Sequence, residues 1–288
     1  MKKNILFIIN YNSNKQISSL LQSSDLNIIN VTHCVIYNNG DIPTSQDIEN
    51  WKINFSKVNI TFEVLCKKNE GFGAAINSCI SLMKSDYLGY DYAFFSNADI
   101  VVKKNASTFA YNMYDAVGFP MYQNGNFIVS KITVFTPLIP FRFRKIFGLK
   151  PKYGPTEIVH GCFFGFRIEY LLRMNTKFFE EYFLYWEETQ FFYEINKLGC
   201  KIGVSDSVRI NHDGEKSVFL DNARYYMLRN GLFFYRHVYK SFSLFLIWYI
   251  INTIYAIISS IGFPFKLPLW YTQGKIDYYN NLLGKRIC

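Results

Sequence analysis

The chain has 288 residues, of which 50% are hydrophobic and 19% aromatic, and its formal charge is +9. Apolar content this high excludes a disordered polypeptide, and the length suits one large domain or two small ones. The positive excess fits an anionic substrate or a membrane surface, whereas no nucleic-acid-binding module accompanies it.

The first apolar run, residues 5–9, is too short for a secretory leader and predicts a strand. A helix is expected over 15–22, a strand over 32–37, a third strand over 61–66, a helix over 74–84 and a fourth strand over 92–96. This alternation predicts an α/β fold, a mostly parallel sheet with helices on both faces. Ligands bind such sheets at the carboxyl ends of the strands, where Asn10, Asn12, Asn38, Asn39, Asn97 and Asp99 fall. Residues 120–155, which carry Gly125, Pro137, Pro140, Pro151 and Pro155, read as an insertion or mobile loop. The cysteines Cys34, Cys66, Cys79, Cys162, Cys200 and Cys288 are scattered, as reduced thiols are, and form no Cys-x-x-Cys pair.

Four segments carry candidate chemistry. Residues 68–77 make a strand-to-helix turn with Gly71 and Gly73, which is either an ordinary tight turn or a place where backbone approaches a phosphate. Residues 94–99 are an apolar strand ending in Asn97-Ala98-Asp99, and a strand-end carboxylate either caps a helix or binds a hard cation. Residues 160–167 are a glycine-bearing strand, a buried wall or a close approach to a ligand at Gly161. Residues 178–212 place Glu187 and Glu188 between Phe183, Leu184, Tyr185 and Trp186 on one side and Phe191, Phe192 and Tyr193 on the other. Apolar surroundings raise a carboxylate's pKa toward the range of a general base, while acids at a helix start also favour the dipole. Gly199 then ends the helix, and His212 follows a strand expected over 203–210.

Together these segments resemble the inverting family-2 glycosyltransferases of GT-A fold, above all the bacterial rhamnosyltransferase-like branch of O-antigen and capsule synthesis. The resemblance covers roughly residues 5–240. It implies a hexosyl- or rhamnosyltransferase that moves a sugar from a UDP- or dTDP-sugar to a hydroxyl of a polyprenyl-diphosphate-linked saccharide. It implies Mn2+ or Mg2+ on Asp99 and His212, and a general base at Glu188 or Glu187. Asn10, Asn12, Asn38, Asn69, Gly71, Gly73, Asn77, Asn97 and Asp99 would bind the nucleotide sugar, and Gly161 and Trp186 the sugar or acceptor. Three positions depart from the pattern: Asn38 replaces a base-reading Asp, Ala98 a Pro and Gln190 an Asp. With the single carboxylate at 97–99, these departures also fit a subunit that binds nucleotide sugar without transferring it.

Residues 241–265 hold no charge, and basic residues flank them on both sides. A single span would leave one basic flank outside, so the pattern predicts a membrane-associating tail, 241–288, lying on the cytoplasmic face of a bacterial inner membrane. A buried packing helix is the alternative.

Overall fold

The structure is a computed structural model that describes residues 3–105, 113–138, 154–212, 220–260 and 267–286. Strand β1 (Asn4–Asn10) is buried along its whole length. Ile5, Phe7 and Ile9 enter one core, and Leu6 and Ile8 enter the other. A strand covered on both faces has no solvent side, which is why residues 5–9 form an unbroken apolar run. Helix α1 (Asn14–Ser23) and helix α2 (Ser45–Lys57) pack on the Leu6 face, and helix α3 (Phe72–Asp86) packs on the Phe7 face. Strand β2 (Val31–Asn38) and strand β4 (Tyr92–Asn97) flank β1 in parallel, and β3 (Thr61–Cys66) adds outside β2. A capping box starts α2: the Asp47 N–H donates to Thr44 Oγ1 at 3.1 Å, and the Thr44 N–H donates to Asp47 Oδ2 at 3.0 Å.

The chain continues through β5 (Val101–Lys104), β6 (Ala116–Gly118), β7 (Met121–Gln123), β8 (Asn126–Val129), β9 (Gly154–Pro155), β10 (Phe163–Arg167), helix α4 (Ile168–Arg173), helix α5 (Glu187–Lys197), β11 (Ile202–Val204) and β12 (Val208–Asn211). The main sheet runs β3-β2-β1-β4-β10-β6-β11-β9, and a smaller one runs β5-β12-β7-β8. Strand β10 turns the main sheet antiparallel, pairing Phe164 with Phe95 and Phe166 with Ala93. Part of the expected loose insertion is therefore ordered. Asn124 and Gly125, both at positive φ (48° and 73°), turn β7 into β8, and Tyr122 meets Phe127 edge-on across the hairpin. An Asn-Gly turn of this handedness matches strand twist, so the hairpin was signalled by the dipeptide. Residues 139–153 lie outside the described residues.

Helix α6 (Leu220–Phe233) leads through a π turn (Phe234–Val238) to α7 (Phe242–Ser259) and α8 (Leu269–Tyr279). Packing contacts run across residue 240. Helix α8 returns onto α6, where the Tyr225 hydroxyl donates to Asp277 Oδ2 at 2.5 Å, and beyond α8 the Gly284 N–H donates to the carbonyl of Glu181, ahead of α5, at 2.6 Å. Helix α7 leaves Phe242, Leu246, Ile247, Ile250, Ile254, Ile257 and Ile258 exposed. Among the described residues it is the one helix long and apolar enough to cross a membrane.

Candidate functional site

The segment before Glu187 is backbone that side chains rarely adopt. Phe183, Tyr185 and Trp186 all have positive φ, at 64°, 64° and 78°. Each such residue costs of order 1–3 kcal/mol and persists only where its surroundings enforce it. The enforcing groups come from α6. Asn230, fully buried, reaches the carbonyls of Tyr182, Leu184 and Tyr185 at 3.1, 2.9 and 2.9 Å. Arg229, 1% exposed, donates to the Tyr182 carbonyl at 3.1 Å and to Gly284 O at 3.0 Å, with its guanidinium over the rings of Tyr225 and Tyr226. On the other side the Phe72 N–H donates to the Phe183 carbonyl at 3.0 Å. Gly71 at φ 102° has no room for a side chain, because a Cβ there would collide with the Phe183 backbone.

Asn230→Ala is expected to lower stability by about 1–3 kcal/mol, because buried carbonyls lose their donor. Activity should fall with it as the loop relaxes. Thermal unfolding alongside a turnover assay checks this, and an unchanged melting temperature would show that another group holds the loop.

The loop delivers Glu187 and Glu188 to the first turn of α5 in different settings. Glu187 is 2% exposed, its Oε2 has no hydrogen-bond partner among the described residues, and Gly73 sits against its side chain. Burial first, and then the Glu188 charge, pushes its carboxyl well above the ordinary range. Glu188 is half-buried, and burial raises its carboxyl too. Gly161 explains how Glu188 fits: a Cβ at that position would stand 3.1 Å from Glu188 Cγ and 3.2 Å from Cδ.

Asp99 lies just past β4, and the His212 ring Nε2 sits 3.2 Å from its Oδ1. Burial raises the Asp99 carboxyl, and the hydrogen bond and charge of His212 outweigh it, leaving it below the ordinary value. The Cys162 thiol is pushed up by burial first, and then by the charges of Asp99 and Glu188. A carboxylate oxygen facing an imidazole nitrogen suits Mn2+, which accepts both, and a diphosphate and water would complete the sphere. Among the described residues no cluster of three or more acid, His or Cys ligands exists, so the protein would contribute this pair.

A cleft of about 420 Å³, within the size range of small-molecule sites, is lined by Asn69, Gly71, Asn97 and Asp99 as expected from sequence. Asn39, also at an expected strand end, lines it too, and so do Tyr11, Ser13, Asn222, Tyr226, Lys285 and Arg286, which sequence reasoning did not place there. Other expected residues do not line it. Asn10 and Asn38 are fully buried and join each other at 2.7 Å, so they fasten β1 to β2. Asn12 Oδ1 accepts the Asp41 N–H at 2.7 Å, which ties the turn after β1 to the one after β2. Asn77 clasps Phe178, giving to its carbonyl and taking its N–H, both at 2.9 Å. Trp186 is 3% exposed, its indole donates to the Met227 carbonyl at 3.0 Å, and it packs on Phe234, Tyr235 and Trp248. A buried amide or indole needs a partner as much as a ligand does, and here the chain supplies it.

No protein-family model matches the chain, and no curated protein does. Solved structures do. S. aureus TarS residues 1–349 superposes with TM-score 0.54 at 15% identity, covering 98% of this chain and 80% of that one. The mannosyltransferase PcManGT from Pyrobaculum calidifontis, in complex with GDP-Man and Mn2+, gives 0.55 at 13% identity, covering 97% and 81%. GalNAc-T7 with UDP, GalNAc and Mn2+ gives 0.53 at 12%, covering 97% of this chain and 55% of that one. The chain has the GT-A fold of these glycosyltransferases.

Proposed function

We propose that the chain is an inverting glycosyltransferase that moves a hexose or rhamnose from a nucleotide sugar (UDP-, dTDP- or GDP-linked) to an acceptor hydroxyl. The observation that carries the reading is the pairing, within a GT-A fold, of Asp99 at the cleft with His212, beside a half-buried Glu188 that packs against Gly161. A divalent ion on Asp99 and His212 would supply Lewis-acid neutralisation of the leaving diphosphate. Asn69, Gly71 and Asn97 line the donor cleft, and Glu188, kept basic by its apolar walls, takes the acceptor proton as the hydroxyl attacks. One base with no covalent intermediate gives inversion. The fixed turn at 183–186 aims Glu188, and burial raises the carboxyl of Glu187 beside it, which disfavours a second charge there. Incubating the protein with a panel of nucleotide sugars and saccharide acceptors, and measuring release of nucleoside diphosphate with and without acceptor, tests the reading. Donor binding with no acceptor-dependent turnover would favour the non-catalytic donor-binding subunit instead.

For the acceptor we propose a polyprenyl-diphosphate-linked saccharide of surface-polysaccharide synthesis, met at the cytoplasmic face of a bacterial membrane. The exposed isoleucines of α7, with Arg236 and Lys240 before it and Lys275 after, support docking on an anionic bilayer. Replacing Ile250, Ile254 and Ile257 with Ser should cut binding to vesicles containing phosphatidylglycerol at least tenfold while the melting temperature holds. High salt should release much of the intact protein. Binding that survives both treatments would mean that α7 spans rather than lies on the membrane.

A further inference from the structure

The cleft lining holds three charged residues among those described: Asp99, Lys285 and Arg286. The two cations come from the far end of the chain, and a built-in harness holds them there. Gly284 is fixed through its N–H to Glu181 O at 2.6 Å and through its carbonyl to the buried Arg229 at 3.0 Å. The Arg286 N–H donates to the Tyr226 hydroxyl at 2.8 Å, and its guanidinium lies over the Tyr225 ring and reaches Asn222 Oδ1 at 3.3 Å. Lys285 rests its ammonium 5.7 Å from the Phe183 ring centre. Neither cation forms an ion pair with a described carboxylate. Two cations ordered at a cleft without carboxylate partners are arranged for an anion, and Arg229 ties their segment to the Tyr182 carbonyl of the loop that carries Glu188.

We propose that the segment ending in Lys285 and Arg286 is a diphosphate clamp, which binds the diphosphate of the nucleotide donor beside Asp99. This rests on the donor reading above. The same chemistry would grip a lipid-linked diphosphate, but the cleft that the pair lines is the one that holds Asp99, Asn97 and the Gly71 turn, which favours the donor.

Titrations of the full-length protein with UDP, dTDP and GDP, the matching nucleosides, inorganic pyrophosphate and farnesyl diphosphate separate the cases. Lys285→Gln removes one charge at the cost of a single ring contact, and Lys285→Gln with Arg286→Gln removes both charges. The clamp predicts roughly ten- to hundredfold weaker nucleoside diphosphate binding in the double variant, with nucleoside binding and melting temperature unchanged. The salt dependence of binding should also flatten. Lys285→Arg should bind as the parent does. Diphosphate affinity equal to the parent's, or an equal loss for the nucleosides, overturns the clamp. A loss confined to farnesyl diphosphate overturns its assignment to the donor. Should the parent bind pyrophosphate through these two residues and no nucleotide at all, the clamp stands and the donor reading falls. Tight nucleotide binding indifferent to both substitutions gives the reverse.

Discussion

Glu188→Gln is expected to lower the rate of sugar transfer by about 10²–10⁴-fold, the usual contribution of a positioned general base, while donor affinity stays within a few-fold. The amide keeps the volume against Gly161 but cannot accept a proton, so binding and folding survive while chemistry fails. Glu187→Gln separates the two acids. Glu187 is buried and its carboxyl is pushed well above the ordinary range, so a neutral amide of the same shape is expected to replace it with little loss of turnover. The stability effect has a defined sign. The folded carboxyl titrates above its unfolded value of about 4.3, so its stabilising contribution is complete below that pH and is lost as pH rises toward the folded value. Glu187→Gln should therefore flatten the decline in stability above about pH 4.3, which denaturant midpoints across pH would record. Turnover that survives Glu188→Gln and vanishes in Glu187→Gln would invert the assignment.

Asp99→Ala is expected to remove the dependence of activity on divalent metal and to weaken donor binding. It takes the carboxylate from the pair with His212, the one carboxylate lining the cleft among the described residues. In the parent protein, a chelator should abolish transfer, and Mn2+ should restore it better than Mg2+, because imidazole nitrogen is a poor partner for the harder ion. Binding of a nucleoside diphosphate with and without Mn2+, for parent and variant, gives the result independently of turnover. Full activity in chelator would leave Lys285 and Arg286 as the charges that hold the diphosphate.

Short-range patterns in the sequence were enough to locate the first four strands and α1 and α3, because their signals are local. The run over 5–9 and the small-residue helix after Gly71 announce themselves within a few residues. The same holds for Asp99 at the end of β4 and for the apolar surroundings of Glu187 and Glu188. The hairpin at Asn124-Gly125 was signalled just as locally and was obscured by the prolines that follow it.

What sequence reasoning could not do was tell a polar residue that meets a ligand from one that meets its own chain. Asn10, Asn38 and Asn77 have the residue type of binding groups, yet each is bound by partners 28 to 101 positions away. Arg229 read as part of the basic flank of the apolar tail, yet it is buried, and Asn230 carried no signal, because both hold carbonyls of a loop more than forty positions earlier. Lys285 and Arg286 read as a basic flank of an apolar tail until α8 folded back on α6. By itself the sequence determined the layered α/β architecture, the acid pair, the strand-end Asp99 and the apolar tail, since each is written in the chemistry of neighbouring residues. Tertiary structure alone decided which acid is the more deeply buried, which asparagines face the cleft and where the chain's last cations sit, because burial and long-range hydrogen bonds depend on segments that meet only when the chain closes on itself.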